Sequence, residues 1–117
     1  MKNRPFADRL GFALAGIGVV WNRERSFRTQ CRLALLALTV TIILRPQPIW
    51  VALIILSVAL VLSLEMINSA LEYTIDHLHP SLAEPIKHAK DAAAGAVLIA
   101  SLTSVAIGAI MLAASLG

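Results

Sequence analysis

The stretch WVALIILSVALVLSLEMINSALEYTID, from Trp50 to Asp76, is largely apolar as far as Leu64 and then carries polar groups at Glu65, Asn68, Glu72 and Asp76. The apolar part reads as a membrane-spanning helix. Helical steps of three, four and four residues hold the four polar groups within roughly a quarter turn of one face. Leu64, Ile67, Leu71 and Ile75 fill the positions between them. A charge at membrane depth is costly, so such a row needs a cation, a polar substrate or a water-filled cavity opposite it. A solvated stripe just beyond the membrane accounts for Asp76 and Glu72. It does not account for Glu65, which the apolar run leads straight into and which Met66, Ile67 and Leu71 surround.

Working outward, the whole chain has the same bias. It has 117 residues, of which 58% are hydrophobic and 15% charged, with a mean hydropathy of +0.79. That is one domain's length and too apolar for a simple globular one. Aromatic residues make up only 5%, so the apolar residues are mainly the Ala, Leu, Ile and Val that fill spanning helices. The pI of about 9.6 would suit a nucleic-acid binder, but the distribution of charge argues against one. Seven of the ten basic residues (Lys2, Arg4, Arg9, Arg23, Arg25, Arg28 and Arg32) precede the first long apolar run. This is the pattern of a cytoplasmic flank facing anionic lipid. No aromatic residues interleave with the bases as a strand-stacking surface requires, so nucleic acid is not an expected partner. The first apolar stretch is broken and no small-residue cleavage site follows it, so no signal peptide is expected. Cys31, the single cysteine, has no internal disulfide partner and reads as a small buried hydrophobe.

The expected organisation is a single all-α membrane domain over 1–117. Phe6, Leu10, Ala13, Leu14, Ile17 and Trp21 recur at helical spacing, which predicts an amphipathic surface helix over about 6–22. Three spans follow, at about 27–44, 49–72 and 91–115. The first is short for a hydrocarbon core of about 30 Å, so Arg28 and Arg32 would snorkel at its inner boundary. Arg45-Pro46-Gln47-Pro48 ends it, since two prolines and a cation cannot continue a lipid-embedded helix. The second helix carries the polar row to about Asp76 and breaks at His77-Leu78-His79-Pro80-Ser81. A loop then reaches to about His88, and the third span opens at Lys90-Asp91. Three spans place the amino terminus inside, the carboxyl terminus outside and the polar row at the cytoplasmic boundary.

The third span opens with Lys90-Asp91-Ala92-Ala93-Ala94-Gly95-Ala96. A helix amino terminus there would offer free N–H groups to a phosphate, with Lys90 adding a full charge and Asp91 orienting it or a ligand. The Ala/Gly run, with Ser101, Ser104 and Gly108, reads as a face for close helix packing. From the residues alone, Glu24 in Asn22-Arg23-Glu24-Arg25 is a surface ion-pair member. His77, His79 and His88 lack zinc spacing and read as solvated loop residues. No phosphate-binding G-x-x-x-x-G-K-[ST] loop, dinucleotide fingerprint or nucleophile elbow is present, which excludes the soluble nucleotide-binding folds.

Together, Glu65-Met66-Ile67-Asn68-Ser69-Ala70-Leu71-Glu72, Asp76 and Lys90-Asp91-Ala92-Ala93-Ala94-Gly95-Ala96-Val97 resemble the prokaryotic diacylglycerol kinase family, which includes the undecaprenol kinases. The pattern E-x-x-N-[ST]-A-x-E-x-x-x-D followed by a K-D pair is long and unusual. The likeness extends over nearly the whole chain, and Glu24, Phe27 and Arg28 match the family's amino-terminal E-x-x-F-[RQ].

The resemblance implies a small homotrimeric membrane kinase, with sites built between protomers, in the bacterial inner membrane. It would use Mg²⁺ and ATP to phosphorylate a lipid hydroxyl at the cytoplasmic face. By that likeness Glu65 is the general base, Glu24 and Glu72 hold Mg²⁺, and Asn68, Asp76, Lys90 and Asp91 are nucleotide or active-site contacts. An amino-terminal arginine contact is assigned to Arg9, with Arg4 the alternative. The physics of the reaction agrees, because phosphoryl transfer depends mostly on positioning and charge neutralisation. A carboxylate at the lipid boundary can take the proton of an attacking hydroxyl. The expected reaction converts diacylglycerol to phosphatidic acid. Undecaprenol is the alternative acceptor, and the K-D-A-A-A-G-A-V form is nearer that branch than K-D-M-G-S-A-A-V. The loop between Asp76 and Lys90 departs from the family in where it places His-Pro, so no histidine contact carries over. A rival from another class is a non-enzymatic carrier or scaffold, which would also hold carboxylates in its spans. It would need neither Lys90-Asp91 beside the row nor an Asn one turn from Glu65.

Overall fold

A computed structural model describes residues 3–81 and 83–117, and all its regular structure there is helical. Four helices follow in order: α1 (Phe6–Arg23), α2 (Arg25–Leu44), α3 (Pro48–Leu78) and α4 (Glu84–Leu116). The last three are long and apolar enough to cross a membrane, with mean hydropathy of 1.5, 2.5 and 2.3 over their most apolar windows. The protein is thus all-α, with three candidate spans preceded by a shorter helix. At about 1.5 Å per residue α2 is about 30 Å long, while α3 and α4 reach about 46 and 50 Å. A hydrocarbon core of about 30 Å therefore leaves a length of α3 and α4 outside it. The polar row of α3 lies on the half of the helix that leads to the α3–α4 turn.

Each break has a local cause. Arg45 ends α2 in the left-handed region at φ 50° and ψ 52°, with its N–H on the Thr41 carbonyl at 3.2 Å. Gln47 then leads into α3 with Pro48 in its first turn, where a missing N–H loses nothing. The α1–α2 break is a single extended residue, Glu24, at φ −108° and ψ 107°. No proline or glycine marks it. Arg28 holds the joint, donating from Nη1 to the carbonyl of Trp21 at 2.5 Å and to that of Asn22 at 3.3 Å. A cation on the last carbonyls of α1 is favourable both as a cap and against the helix dipole. Arg28 thus closes the helix joint.

The largest departure from expectation is the start of α4. The expected loop to His88 is helix from Glu84 onward, so Lys90 and Asp91 lie in the second turn and not at the helix amino terminus. Pro85 in the first turn pre-sets the helical φ and Glu84 complements the dipole. Lys87–Asp91 at 2.9 Å and His88–Glu84 at 3.1 Å add i,i+4 pairs. His88 is therefore a helix residue, as is His77 at the end of α3, while His79 lies beyond it.

The central helix α3 touches each of the other three. Ile54, Val58 and Met111 form the buried core, with Ala34, Ala37, Leu38, Trp50, Leu62 and Ile107 around them. Several polar side chains inside this bundle are paired, which lowers the cost of burying them. Ser57 and Ser104 hydroxyls lie 3.1 Å apart, Gln30 Nε2 donates to Ser101 Oγ at 3.3 Å, and Thr41 Oγ1 donates to the Ala37 carbonyl at 2.7 Å. The expected small-residue face of α4 is thus partly a hydrogen-bonding face. Leu35, Ile42, Ile43, Ile99 and Val105 point outward and exposed, an arrangement suited to lipid. A cleft of about 420 Å³ opens between α2 and α4 over α3, its walls including Gln30, Val58, Val61, Ser101, Ser104 and Gly108.

Candidate active site

The polar row of α3 meets the α1–α2 joint. Glu65 is buried, only 5% exposed, and its Oε2 accepts a hydrogen bond from Ser26 Oγ at 3.3 Å. Ser26 lies in the first turn of α2, next to Glu24, so the helix break brings both residues to the face of α3. Glu24 Oε1 accepts from the Tyr73 hydroxyl at 2.9 Å, and the Arg23 guanidinium sits 5.3 Å from the centre of the Tyr73 ring. Glu72 lies two helical turns beyond Glu65 on α3, and Glu24 stands two residues before Ser26, the partner of Glu65. Ser26 and Tyr73 thus tie the α1–α2 joint to the carboxylate-bearing end of α3.

None of the three carboxylates has a basic partner at ion-pair distance among the described residues, where the ion pairs are Lys87–Asp91, His88–Glu84 and Lys90–Asp76. Asn68, one turn from both Glu65 and Glu72, has its Oδ1 buried with no hydrogen-bond partner. Carboxylates without a counter-ion and an unpartnered carbonyl oxygen are the kinds of oxygen donor that a hard divalent cation takes. No three acidic, histidine or cysteine side chains among the described residues are placed to hold one ion together. A divalent ion there would have to take one or two of the carboxylates and complete its shell with water and phosphate oxygens, as magnesium usually does.

The outer end of the row is different. Asp76 Oδ1 pairs with Lys90 Nζ at 2.5 Å, bridging α3 and α4, with side chains 61% and 29% exposed. Asp91, expected to orient Lys90, is instead engaged by Lys87 one turn earlier. Arg9 lies exposed on α1, and no side-chain hydrogen bond or ion pair among the described residues joins it to the row. Arg4 stacks over Phe12 at 5.9 Å. Glu24, expected from its neighbours to form a surface ion pair, takes a neutral phenol instead. Sequence reasoning missed Ser26, Tyr73 and Arg23. Tyr73 is the only tyrosine of the chain, but it stands off the three-four-four period of the row and periodicity could not select it.

The motif that runs through this site is shared with known proteins. The family described as prokaryotic diacylglycerol kinase matches residues 11–112. The chain belongs to this family. It is 36% identical over 102 residues to a diacylglycerol kinase of Synechocystis sp., covering 86% of this chain and 58% of that protein. It is 35% identical to the diacylglycerol kinase of Haemophilus influenzae, covering 76% of this chain and 75% of that one. The diacylglycerol kinase of Escherichia coli is 34% identical over 87% of this chain and 84% of its own length. The matched family segment begins within α1 and ends near the end of α4, so it contains every proposed site residue except Arg9. Membership of this kinase family, with three apolar helices, makes the protein a membrane-associated member of a family of enzymes that transfer phosphate.

Proposed function

We propose that the protein is an ATP-dependent lipid kinase that converts diacylglycerol to phosphatidic acid at the cytoplasmic face of the bacterial inner membrane, acting as a single membrane domain. The observation that carries the reading is the buried Glu65, tied through Ser26 to the α1–α2 joint that bears Glu24, where neither these two carboxylates nor Glu72 has a counter-ion among the described residues.

In this reading Glu65 takes the proton of the lipid hydroxyl as its oxygen attacks the γ-phosphorus of ATP. The bond between that phosphorus and the β–γ bridging oxygen breaks, and ADP leaves. A carboxylate in this position is suited to general-base catalysis. Glu24 and Glu72 would hold Mg²⁺. When bound, the ion would neutralise charge on the phosphate oxygens. Asn68 would turn its free Oδ1 toward the ion or its water. Lys90, paired with Asp76, would meet the nucleotide phosphates, Asp91 held by Lys87 would be a further polar contact, and Arg9 would reach the nucleotide from α1.

The lipid part of the reading is supported by the cleft between α2 and α4. Val61 in its wall is one turn from Glu65 on the same face of α3, and Gln30 in its wall is one turn from Ser26. A diacylglycerol with an acyl chain lying there would bring its free glycerol hydroxyl to Glu65. Undecaprenol is the alternative acceptor, and the closer likeness of the Lys90-Asp91 segment to that branch supports it. The homotrimer rests on the resemblance to the family, and chemical cross-linking in micelles should give a ladder ending at three. A ladder ending at two would overturn it.

The deciding experiment is phosphate transfer from Mg-ATP by purified protein in mixed micelles containing diacylglycerol or undecaprenol. Transfer abolished by Glu65→Gln is the expected result, and the productive lipid names the acceptor. No transfer to either lipid, with Glu65→Gln indistinguishable from the parent, would overturn the kinase reading and leave the carrier or scaffold.

A further inference from the structure

Tyr73 is bound to the one residue that interrupts the α1–α2 helix pair. Glu24 is the residue preceding α2, the place from which an acidic side chain ordinarily turns down to accept the free N–H groups of the first helical turn. Its carboxylate does not do so, and no side-chain cap forms at this end of α2. Instead Oε1 is held by the Tyr73 hydroxyl at 2.9 Å, across a sequence separation of 49 residues. The Tyr73 ring is in turn covered by the guanidinium of Arg23 at 5.3 Å, so the phenol is fixed from its far side by the residue just before Glu24. The backbone around Glu24 is anchored independently, through its own N–H on the Val20 carbonyl at 2.8 Å and through Arg28 on the carbonyls of Trp21 and Asn22. With the backbone held, the carboxylate has two destinations: the N–H groups of α2, or α3, where it meets Tyr73, the residue next to Glu72 in sequence.

We infer that Tyr73 is a positioning residue that diverts the Glu24 carboxylate from capping α2 and presents it to the metal shared with Glu72. This rests on the assignment of Glu24 as a metal ligand made above. The hydrogen bond occupies Oε1 and fixes the carboxylate plane, leaving Oε2 to face the cation. Outer partners that orient a metal-binding carboxylate commonly control metal affinity in this way. Without the hydroxyl, Glu24 falls back on the unpaired N–H groups of Ser26 and Phe27, and the metal has to compete with that cap.

The test uses Tyr73→Phe, which keeps the ring and its packing under Arg23 and removes only the donor. Two quantities are measured on the full-length protein in micelles: the Mg²⁺ concentration giving half-maximal phosphate transfer, and Mn²⁺ binding read from its electron paramagnetic resonance signal with a non-hydrolysable ATP analogue. The expected result is a loss of about tenfold in metal affinity by both measures, with lipid KM unchanged and the thermal midpoint close to that of the parent. In a Glu24→Gln background, Tyr73→Phe should add nothing to the loss, because the tyrosine acts only through the carboxylate. Unchanged Mg²⁺ and Mn²⁺ responses in Tyr73→Phe, while Glu24→Gln weakens both, would overturn the positioning role and leave the Glu24 assignment standing. Unchanged responses in Glu24→Gln itself would overturn both. An equal additional loss in the Glu24→Gln background would show that Tyr73 acts by another route and would also overturn the inference.

Discussion

Ser26 Oγ donates to Glu65 Oε2 at 3.3 Å, joining the first turn of α2 to the buried carboxylate of α3 across 39 residues of sequence. The contact matters because Glu65 stands where an apolar helix first becomes polar, with a small hydroxyl its only hydrogen-bond partner among the described residues. A carboxylate held by one weak neutral donor remains free to take up a proton from a substrate hydroxyl. A carboxylate locked in an ion pair with Arg or Lys would not.

Glu65→Gln is therefore expected to lower kcat by at least about 100-fold, the lower end of what a positioned general base contributes. Lipid KM should change little, because the amide keeps the shape of the side chain. Ser26→Ala should lower kcat by a smaller factor, since it removes an orienting contact and leaves the base. Steady-state phosphate transfer, fitted separately for kcat and KM, checks both.

The Lys90–Asp76 pair is half in solvent, and its net contribution to stability is expected to stay below about 1 kcal/mol. Its effect should appear in nucleotide binding instead. Lys90→Met should raise the KM for ATP severalfold with the thermal midpoint nearly unchanged, and added salt should narrow the difference between variant and parent. A large drop in the midpoint with ATP KM unaltered would make the pair a structural brace.

Gly108 lines the cleft, and a Cβ added there would meet nothing within 4 Å. Gly108→Leu should fill the cleft without a backbone clash, and replacing glycine inside a helix removes an intrinsic cost of about 0.5–1 kcal/mol. The expected outcome is a raised lipid KM with ATP KM and stability maintained. Lipid KM at the parent value would show that the acyl chain lies elsewhere.

Ile54 is 2% exposed at the centre of the core. Ile54→Ala should destabilise the bundle by about 2–5 kcal/mol, combining the lost burial with the cavity left behind. It lies eleven residues before Glu65, about 16 Å along α3. Activity per folded molecule at low temperature should therefore stay near the parent level while the thermal midpoint in detergent falls.

Much of this protein is written locally. Hydropathy over twenty or so consecutive residues is enough to mark a spanning helix, and the Arg45-Pro46-Gln47-Pro48 segment separates two of them. The three-four-four spacing of Glu65, Asn68, Glu72 and Asp76 places them on one face of any helix that contains them. For this reason the all-α class, the three apolar helices, the polar row and the family motif were legible from residues alone. The start of α4 was legible in principle as well. Pro85 after Glu84 is a first-turn signal, but the weakly apolar segment to His88 obscured it, and the helix was expected to open at Lys90.

The pairings could not be read in this way. Ser26 meets Glu65, Tyr73 meets Glu24 and Lys90 meets Asp76 because of how α1, α2 and α4 rotate and pack against α3, and no spacing within one helix encodes a rotation between two. A gap between about 22 and 27 was expected, but its narrowing to the single extended residue Glu24 has the same origin. Nothing in Asn22-Arg23-Glu24-Arg25 forbids continuous helix, and the turn there is held by Arg28 reaching back to the α1 carbonyls and by Tyr73 reaching across from α3. Sequence alone determined which residues line one helical face. Tertiary packing decided which residues that face meets, because contacts across dozens of residues exist only once the helices have docked.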